Sequence, residues 1–150
     1  MEIPRHTARG IVIHDQRILL MERWRPGHHY FSIPGGGIEP GETPQQTVVR
    51  EFMEETACEV RTERLVYLLE TAEGNRHHIF LCRYLRGEPR LAADSPEAIR
   101  ADPDNRFKPD WLPLSDLPEA PAIIWKPVLR RLVEDLQNGF APDVVSLRTE

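Results

Sequence analysis

Glu51, Glu54 and Glu55 follow Arg50 at a spacing that, on a helix, gathers all three carboxylates within an arc of roughly 100°. Val49, Phe52, Met53 and Thr56 fall toward the other side, so the segment reads as apolar on one face and acidic on the other. Like charges one turn apart destabilise a helix by a few tenths of a kcal/mol per pair. Their place near the C-terminal end adds an unfavourable dipole interaction. Arg50 is the only cation close by in the chain. A hard divalent cation removes the conflict, because Mg²⁺ prefers carboxylate oxygens, water and phosphate oxygens. Taken alone, such a cluster is more often a solvated surface.

The preceding loop changes that weighting. Gly35, Gly36 and Gly37 follow a short strand and lead, through Glu39-Pro40-Gly41-Glu42, into the acidic segment. Bare backbone there brings carbonyls and amides close to a ligand. A metal held between glycine backbone and glutamates would do Lewis-acid chemistry on a phosphate.

From Gly36 to Cys58 the chain resembles the box of the Nudix hydrolases. A glycine, five residues, a glutamate and seven residues lead to Arg-Glu-apolar-x-Glu-Glu-x-Gly-apolar. Gly36, Glu42, Arg50, Glu51, Phe52, Glu54 and Glu55 all stand at the matching positions. Two positions depart: Ala57 stands where the family usually has glycine, and Cys58 fills the last apolar position. Alanine there predicts a mild backbone adjustment and no lost ligand. Trp111-Leu112-Pro113-Leu114-Ser115-Asp116-Leu117 is also similar to the family's pattern.

The resemblance implies a metal-dependent pyrophosphohydrolase. Its substrate would be a nucleoside diphosphate linked to another moiety, with a nucleoside triphosphate favoured by elimination. The subfamily marks for ADP-ribose, dinucleoside polyphosphates and NADH are not found downstream of the box. By the same resemblance Glu51, Glu54, Glu55 and the carbonyl of Gly36 are expected to hold Mg²⁺, or Mn²⁺ in its place. Arg50 would orient the glutamates, with Glu42 as its ion-pair partner. Glu55 is the expected general base, and Glu97 the second choice among the loop acids Asp94, Glu97, Asp102 and Asp104. Arg23 and Arg25 are the expected phosphate contacts. Two other readings compete: a catalytically silent module of the same fold that senses a nucleotide or binds a partner, and an isopentenyl-diphosphate isomerase-like protein. Neither Cys58 nor Cys82 sits in the context the isomerase requires, and the silent module would normally show a degraded box.

These residues need elements to position them. Thr7–Ile13 and Ile18–Met21 read as two strands of a hairpin turned at Asp15-Gln16, and Tyr30–Ile33 as a short strand after a loop over residues 25–29. Thr43, Pro44 and Gln46 form a capping-box start for a helix running to about Thr56. Val60–Thr71 and His77–Leu85 read as strands joined at Glu73-Gly74-Asn75, with His77 and His78 on opposite faces. Residues 87–109 read as a long polar loop, residues 111–114 as a short strand, and Pro127 to Asn138 as an amphipathic helix stopped by Gly139. The pattern predicts one domain over residues 1–150, an α/β (α+β) fold with a mixed β-sheet between helices in an α/β/α sandwich.

Composition sets the surroundings. The 150 residues are 40% hydrophobic and 29% charged, as in an ordinary soluble globule. No apolar run approaches the roughly 20 residues that cross a bilayer. The first residues lack a signal-peptide core. Two cysteines predict no disulfide framework and a reducing cytoplasm. A net charge of −5 argues against a nucleic-acid polymer as partner, yet leaves room for a nucleotide or nucleotide-conjugate substrate screened by metal. A homodimer through the terminal segments is left open.

Overall fold

Alternation along the first strand, β1 (His6–His14), decides which layer each side chain joins. Ala8 and Val12 pack in one cluster with Val48 and Phe52 of helix α1 (Pro44–Thr56). Ile11 packs in the other with Val128 and Leu132 of helix α2 (Lys126–Asn138). The sheet thus carries a helix and a separate apolar core on each face. The computed structural model describes residues 3–90, 105–119 and 125–149.

The remaining elements are β2 (Arg17–Arg25), β3 (His28–Ser32), β4 (Gly35–Gly37), β5 (Glu59–Glu70), β6 (Arg76–Arg86), β7 (Arg106–Pro113), a 3-10 helix (Leu114–Glu119) and β8 (Val145–Arg148). The main strand order is β3-β2-β1-β6-β5-β8, with β4 joined to β1 and β7 to β2. Strands β1 and β6 run parallel, as do β5 and β8, whereas the other pairs are antiparallel. The sheet is therefore mixed, as expected. Among the described residues no helix is long and apolar enough to cross a membrane.

Several expected elements are present. Asp15 and Gln16 take φ of 51° and 62°, a left-handed pair that suits the twist of a two-residue hairpin. Thr43 accepts from the Gln46 amide while the Gln46 side chain accepts from the Thr43 amide, closing the capping box. Ala57 ends α1 in the left-handed region at φ 59°, its amide donating to the Met53 carbonyl. That conformation costs a β-carbon-bearing residue about 1–2 kcal/mol, which a glycine would avoid. Cys58 and Cys82 are both buried free thiols, and burial pushes the Cys82 thiol up to about 12.

Three expectations need correction, and one strand was not foreseen. His28 and His29 belong to β3 rather than to a loop, because Trp24 pairs with His29 and their rings stack at 5.1 Å. Residues 106–109 belong to β7, where Pro109 sits opposite Met21 on a strand that, among the described residues, pairs with β2 alone. Val49 and Met53 are exposed, and the buried face of α1 is instead formed by Thr47, Val48, Phe52, Glu55 and Thr56. Strand β8 has no counterpart in the sequence reading.

The α2 layer is fixed by one buried polar link. The Tyr67 hydroxyl of β5 donates to Asp135 at 2.6 Å, and Arg131 holds the same carboxylate at 3.0 Å. Near the other end of that face His77 and Thr7 share a hydrogen bond of 2.5 Å, and the His77 ring lies 4.2 Å from that of Trp125. Burial, with Arg9 adding to it, holds the His77 imidazole down at about 4 against an ordinary 6.5. As pH falls below 6.5 the unfolded chain takes up a proton that the folded chain refuses until about 4. Stability present above pH 6.5 is therefore lost on acidification, by roughly 2–3 kcal/mol at pH 4.5. Thermal melts of wild type and His77→Phe at pH 7.5 and 4.5 should show the smaller acid loss in the variant. Equal losses would assign the acid sensitivity to other groups.

Candidate active site

The glycine run is a strand. β4 pairs with β1 through Thr7↔Gly37, Ala8↔Gly36 and Arg9↔Gly35, which brings it in front of α1. At Gly35 a β-carbon would stand 2.3 Å from the Ala8 carbonyl, so the close approach of the two strands needs glycine. The Gly35 amide donates to Glu55 at 3.1 Å. Glu55 stands seven residues after Val48, roughly 20° away around the helix, so pitch places it on the buried face and this contact satisfies its carboxylate there.

Gly36 faces Glu51. A β-carbon there would stand 2.4 Å from the nearer Glu51 carboxylate oxygen. Gly36→Ala should therefore push the Glu51 carboxylate off its position, lowering turnover by roughly ten-fold or more, since angstrom-scale misplacement can cost 10²-fold. The melting temperature should move little, because the far end of Glu51 can swing. Full activity in Gly36→Ala would show that the placement of Glu51 does not matter.

Arg50 gathers the acids behind this front. Its Nε and Nη2 donate to the two oxygens of Glu42 at 2.8 and 3.0 Å, a forked ion pair. Its Nη1 donates to Glu51 at 2.9 Å and to Glu54 at 3.3 Å, and Nη2 reaches the Gly37 carbonyl at 3.2 Å. Thr47 adds a hydrogen bond to Glu42 at 2.6 Å. Arg50 foremost, with Thr47, holds the Glu42 carboxyl down at about 2. The same pairing raises the Arg50 guanidinium above its ordinary value.

Glu51, Glu55 and Gly36 meet Arg23 and Arg25 around one cavity of about 430 Å³. Glu54 is not on its wall: it is 40% exposed on its side chain and bound to Arg50. The acids Asp94, Glu97, Asp102 and Asp104 lie outside the described residues. Among the described residues no three histidine, cysteine or acidic side chains converge on a ready metal cage. The cavity offers two carboxylates and glycine backbone.

Sequence reasoning missed the rest of the wall. Arg5 and Arg9 line it beside Arg23 and Arg25, with Met21, Ser32 and Phe107. Arg23 is flanked by Phe107 at 4.1 Å and Tyr30 at 5.5 Å, positions that favour a fixed cation. Arg9 carried a signal in the chain: a cation between Ala8 and Gly10 interrupts an otherwise apolar strand. Burial lowers the Arg9 guanidinium, and the charge of Glu55 opposes that.

Residues 4–136 match the family model described as the NUDIX domain. The chain belongs to the NUDIX family. Its box is complete at every acidic position, on the helix and strand just described. Among curated NUDIX relatives, the ADP-ribose pyrophosphatase of Methanocaldococcus jannaschii is 32% identical, the match covering 68% of this chain and 64% of that one. The NAD-capped RNA hydrolase NudC of Photorhabdus laumondii is also 32% identical, the match covering 81% of this chain and 43% of its own. The chain thus spans between about two-fifths and two-thirds of the length of these relatives. A solved NUDIX hydrolase from Nitrosomonas europaea superposes with a TM-score of 0.76 at 17% identity, over 99% of this chain and 80% of that one, which shows the shared NUDIX fold.

Proposed function

We propose that this NUDIX chain is a metal-dependent pyrophosphohydrolase. It cleaves a phosphoanhydride bond in a nucleoside diphosphate linked to another moiety, nucleoside triphosphates included. The observation that carries this reading is the division of one cavity: Glu51 and Glu55 on one wall, and Arg5, Arg9, Arg23 and Arg25 around the rest. A diphosphate fits between cations and a metal, because its negative charge complements a wall that carries four guanidiniums.

The donor set suits a hard divalent cation. Carboxylate oxygens and glycine backbone are its preferred partners, and Mg²⁺ is commonly held by one or two carboxylates plus substrate phosphate. The Glu51 carboxylate stands where a β-carbon of residue 36 would be, so glycine lets backbone and carboxylate come together. Glu51, Glu55 and Gly36 would hold Mg²⁺ or Mn²⁺, with Glu54 as the third carboxylate. When bound, the cation supplies charge neutralisation on the phosphate and acidifies water.

The chain's own residues do the rest. Arg23 and Arg25 hold phosphate oxygens and keep the anhydride across the cavity. Arg50 fixes Glu51 by ion pairing and keeps β4 against α1 through the Gly37 carbonyl. Glu55, anchored by the Gly35 amide, takes the proton of the attacking water. The water oxygen bonds to phosphorus, the bridging P–O bond breaks, and the electron pair leaves on the bridging oxygen.

The test is release of phosphate, pyrophosphate or nucleoside monophosphate from a substrate panel, with and without Mg²⁺ or Mn²⁺. The panel holds nucleoside triphosphates and nucleotide conjugates. It also holds capped and triphosphate RNA ends, because relatives are named NAD-capped RNA hydrolase and RNA pyrophosphohydrolase. Metal-dependent cleavage of a member is the expected result. Folded protein that cleaves none of them with either metal would overturn the reading.

A further inference from the structure

Arg9 is a cavity arginine braced by the fold itself. It leaves β1 on the α2 side of the sheet, between Thr7 and Ile11. Its Nη1 donates to the Ile33 carbonyl at 2.9 Å, one residue before Pro34 and two before Gly35. The Trp125 ring lies against the guanidinium, 4.9 Å from its carbon to the ring centroid. Trp125 in turn rests on His77 at 4.2 Å, and His77 is tied to Thr7. Trp125 stands at the start of α2 with φ 68°, a left-handed conformation that tryptophan rarely takes.

The hydrogen bonding of Arg9 is not used up by this setting. A guanidinium has five N–H donors. Among the described residues the Ile33 carbonyl is its hydrogen-bond partner, and the buried Nε has none. The charges of Glu55 and Glu51 act on this guanidinium, yet its unpartnered Nε and its place on the cavity wall leave a fixed, partly buried cation with donors to spare for a substrate anion.

We infer that Arg9 is a substrate-binding residue that grips a phosphate of the substrate, and that Trp125 is its positioning residue, so that the start of α2 sets the geometry of the phosphate subsite. This rests on the pyrophosphohydrolase reading above. Arg5 and Arg25 are exposed and carry no such brace among the described residues, so they add charge without fixing position. Arg9 adds direction: the Ile33 carbonyl and the indole face leave its guanidinium few other orientations.

The experiment measures binding of α,β-methylene ADP, whose carbon bridge resists hydrolysis, by calorimetry with Mg²⁺. In parallel, KM and kcat are measured on the cleaved panel member. The proteins are wild type, Arg9→Met, Arg9→Lys, Trp125→Leu and Trp125→Phe, each checked by thermal melt. Arg9→Met should weaken binding and raise KM by roughly 10- to 100-fold, the range of a charged hydrogen bond, with kcat within a few-fold. Arg9→Lys should recover part of the loss, having the charge without the fork. Trp125→Leu should raise KM by roughly 3- to 10-fold, and Trp125→Phe should restore most of it by keeping an aromatic face. If Arg9→Met destabilises the protein, the folded Arg9→Lys and Trp125 variants still decide. Wild-type binding of the analogue in both Arg9 variants would overturn this inference while leaving the hydrolase in place. An unchanged KM in Trp125→Leu would remove the positioning role. No binding and no cleavage by wild type would remove the hydrolase reading and this one together.

Discussion

Glu55→Gln is expected to lower turnover by roughly 10²- to 10⁴-fold, the usual contribution of a placed general base. The fold should survive, because glutamine keeps an oxygen to accept from the Gly35 amide. The variant should then melt within about 1 kcal/mol of wild type, since one side-chain hydrogen bond is retained. Single-turnover assays at saturating metal and substrate separate this loss from weaker binding. A variant that keeps more than a tenth of wild-type activity would move the base elsewhere, with Glu97 as the next residue to test. Glu54→Gln belongs in the same assay. Glu54 lies off the cavity wall on Arg50, so a loss as large as that of Glu55→Gln would mean that it leaves Arg50 to join Glu51 and Glu55.

Arg50→Met should lower both activity and stability, which distinguishes it from Glu55→Gln. The guanidinium neutralises Glu42, Glu51 and Glu54 together. Its partners are only partly exposed, 14% for Glu42 and 13% for Glu51, so water replaces it poorly. Removing one partner of a fully buried pair costs about 3–5 kcal/mol, and the partial exposure here lowers that to roughly 2–3 kcal/mol. Turnover should fall by roughly 10²-fold or more as the loop and Glu51 lose their common anchor. The low Glu42 pKa has a consequence for the same variant. With its carboxyl held near 2, Glu42 contributes stability that is present above the ordinary carboxylate range and lost only as pH falls toward 2. In Arg50→Met that contribution should vanish at neutral pH, flattening the acid limb of stability. Arg50→Lys should restore charge without the fork and recover only part of the loss. Denaturant melts at pH 7 and pH 4, beside kcat, check all of this. A methionine variant within about 0.5 kcal/mol of wild type would show that the Arg50 hub is a surface cluster of little weight.

The chemistry of the box was legible in the chain because its rules are local. Capping, helix pitch and turn formation depend on residues a few positions apart, so Thr43, Pro44 and Gln46 announce α1 and its spacing sets Glu51, Glu54 and Glu55 in order. The mixed sheet between helices followed from the same periodicities. Boundaries in weakly patterned segments did not follow. His28 and His29 lack the apolar signature of a strand and owe their place to pairing with Trp24 and Arg25. Val145–Arg148 is a short alternating segment whose strand exists only because β5 offers a parallel edge.

The sequence by itself determined that an arginine, a glycine run and three glutamates stand at hydrolase spacing. Tertiary structure decided which of them share a cavity. Helical spacing alone left open which side of α1 meets the sheet: packing of Val48 and Phe52 carries Glu55 inward to the Gly35 amide and leaves Val49 and Met53 exposed. Arg5, just before β1, and Arg9 within it reach the same wall as Phe107 of β7, which is far away in the chain. No local pattern encodes that meeting, because it depends on the register of β1 against β4 and of β2 against β7, where a slip of one residue would turn each side chain to the opposite face.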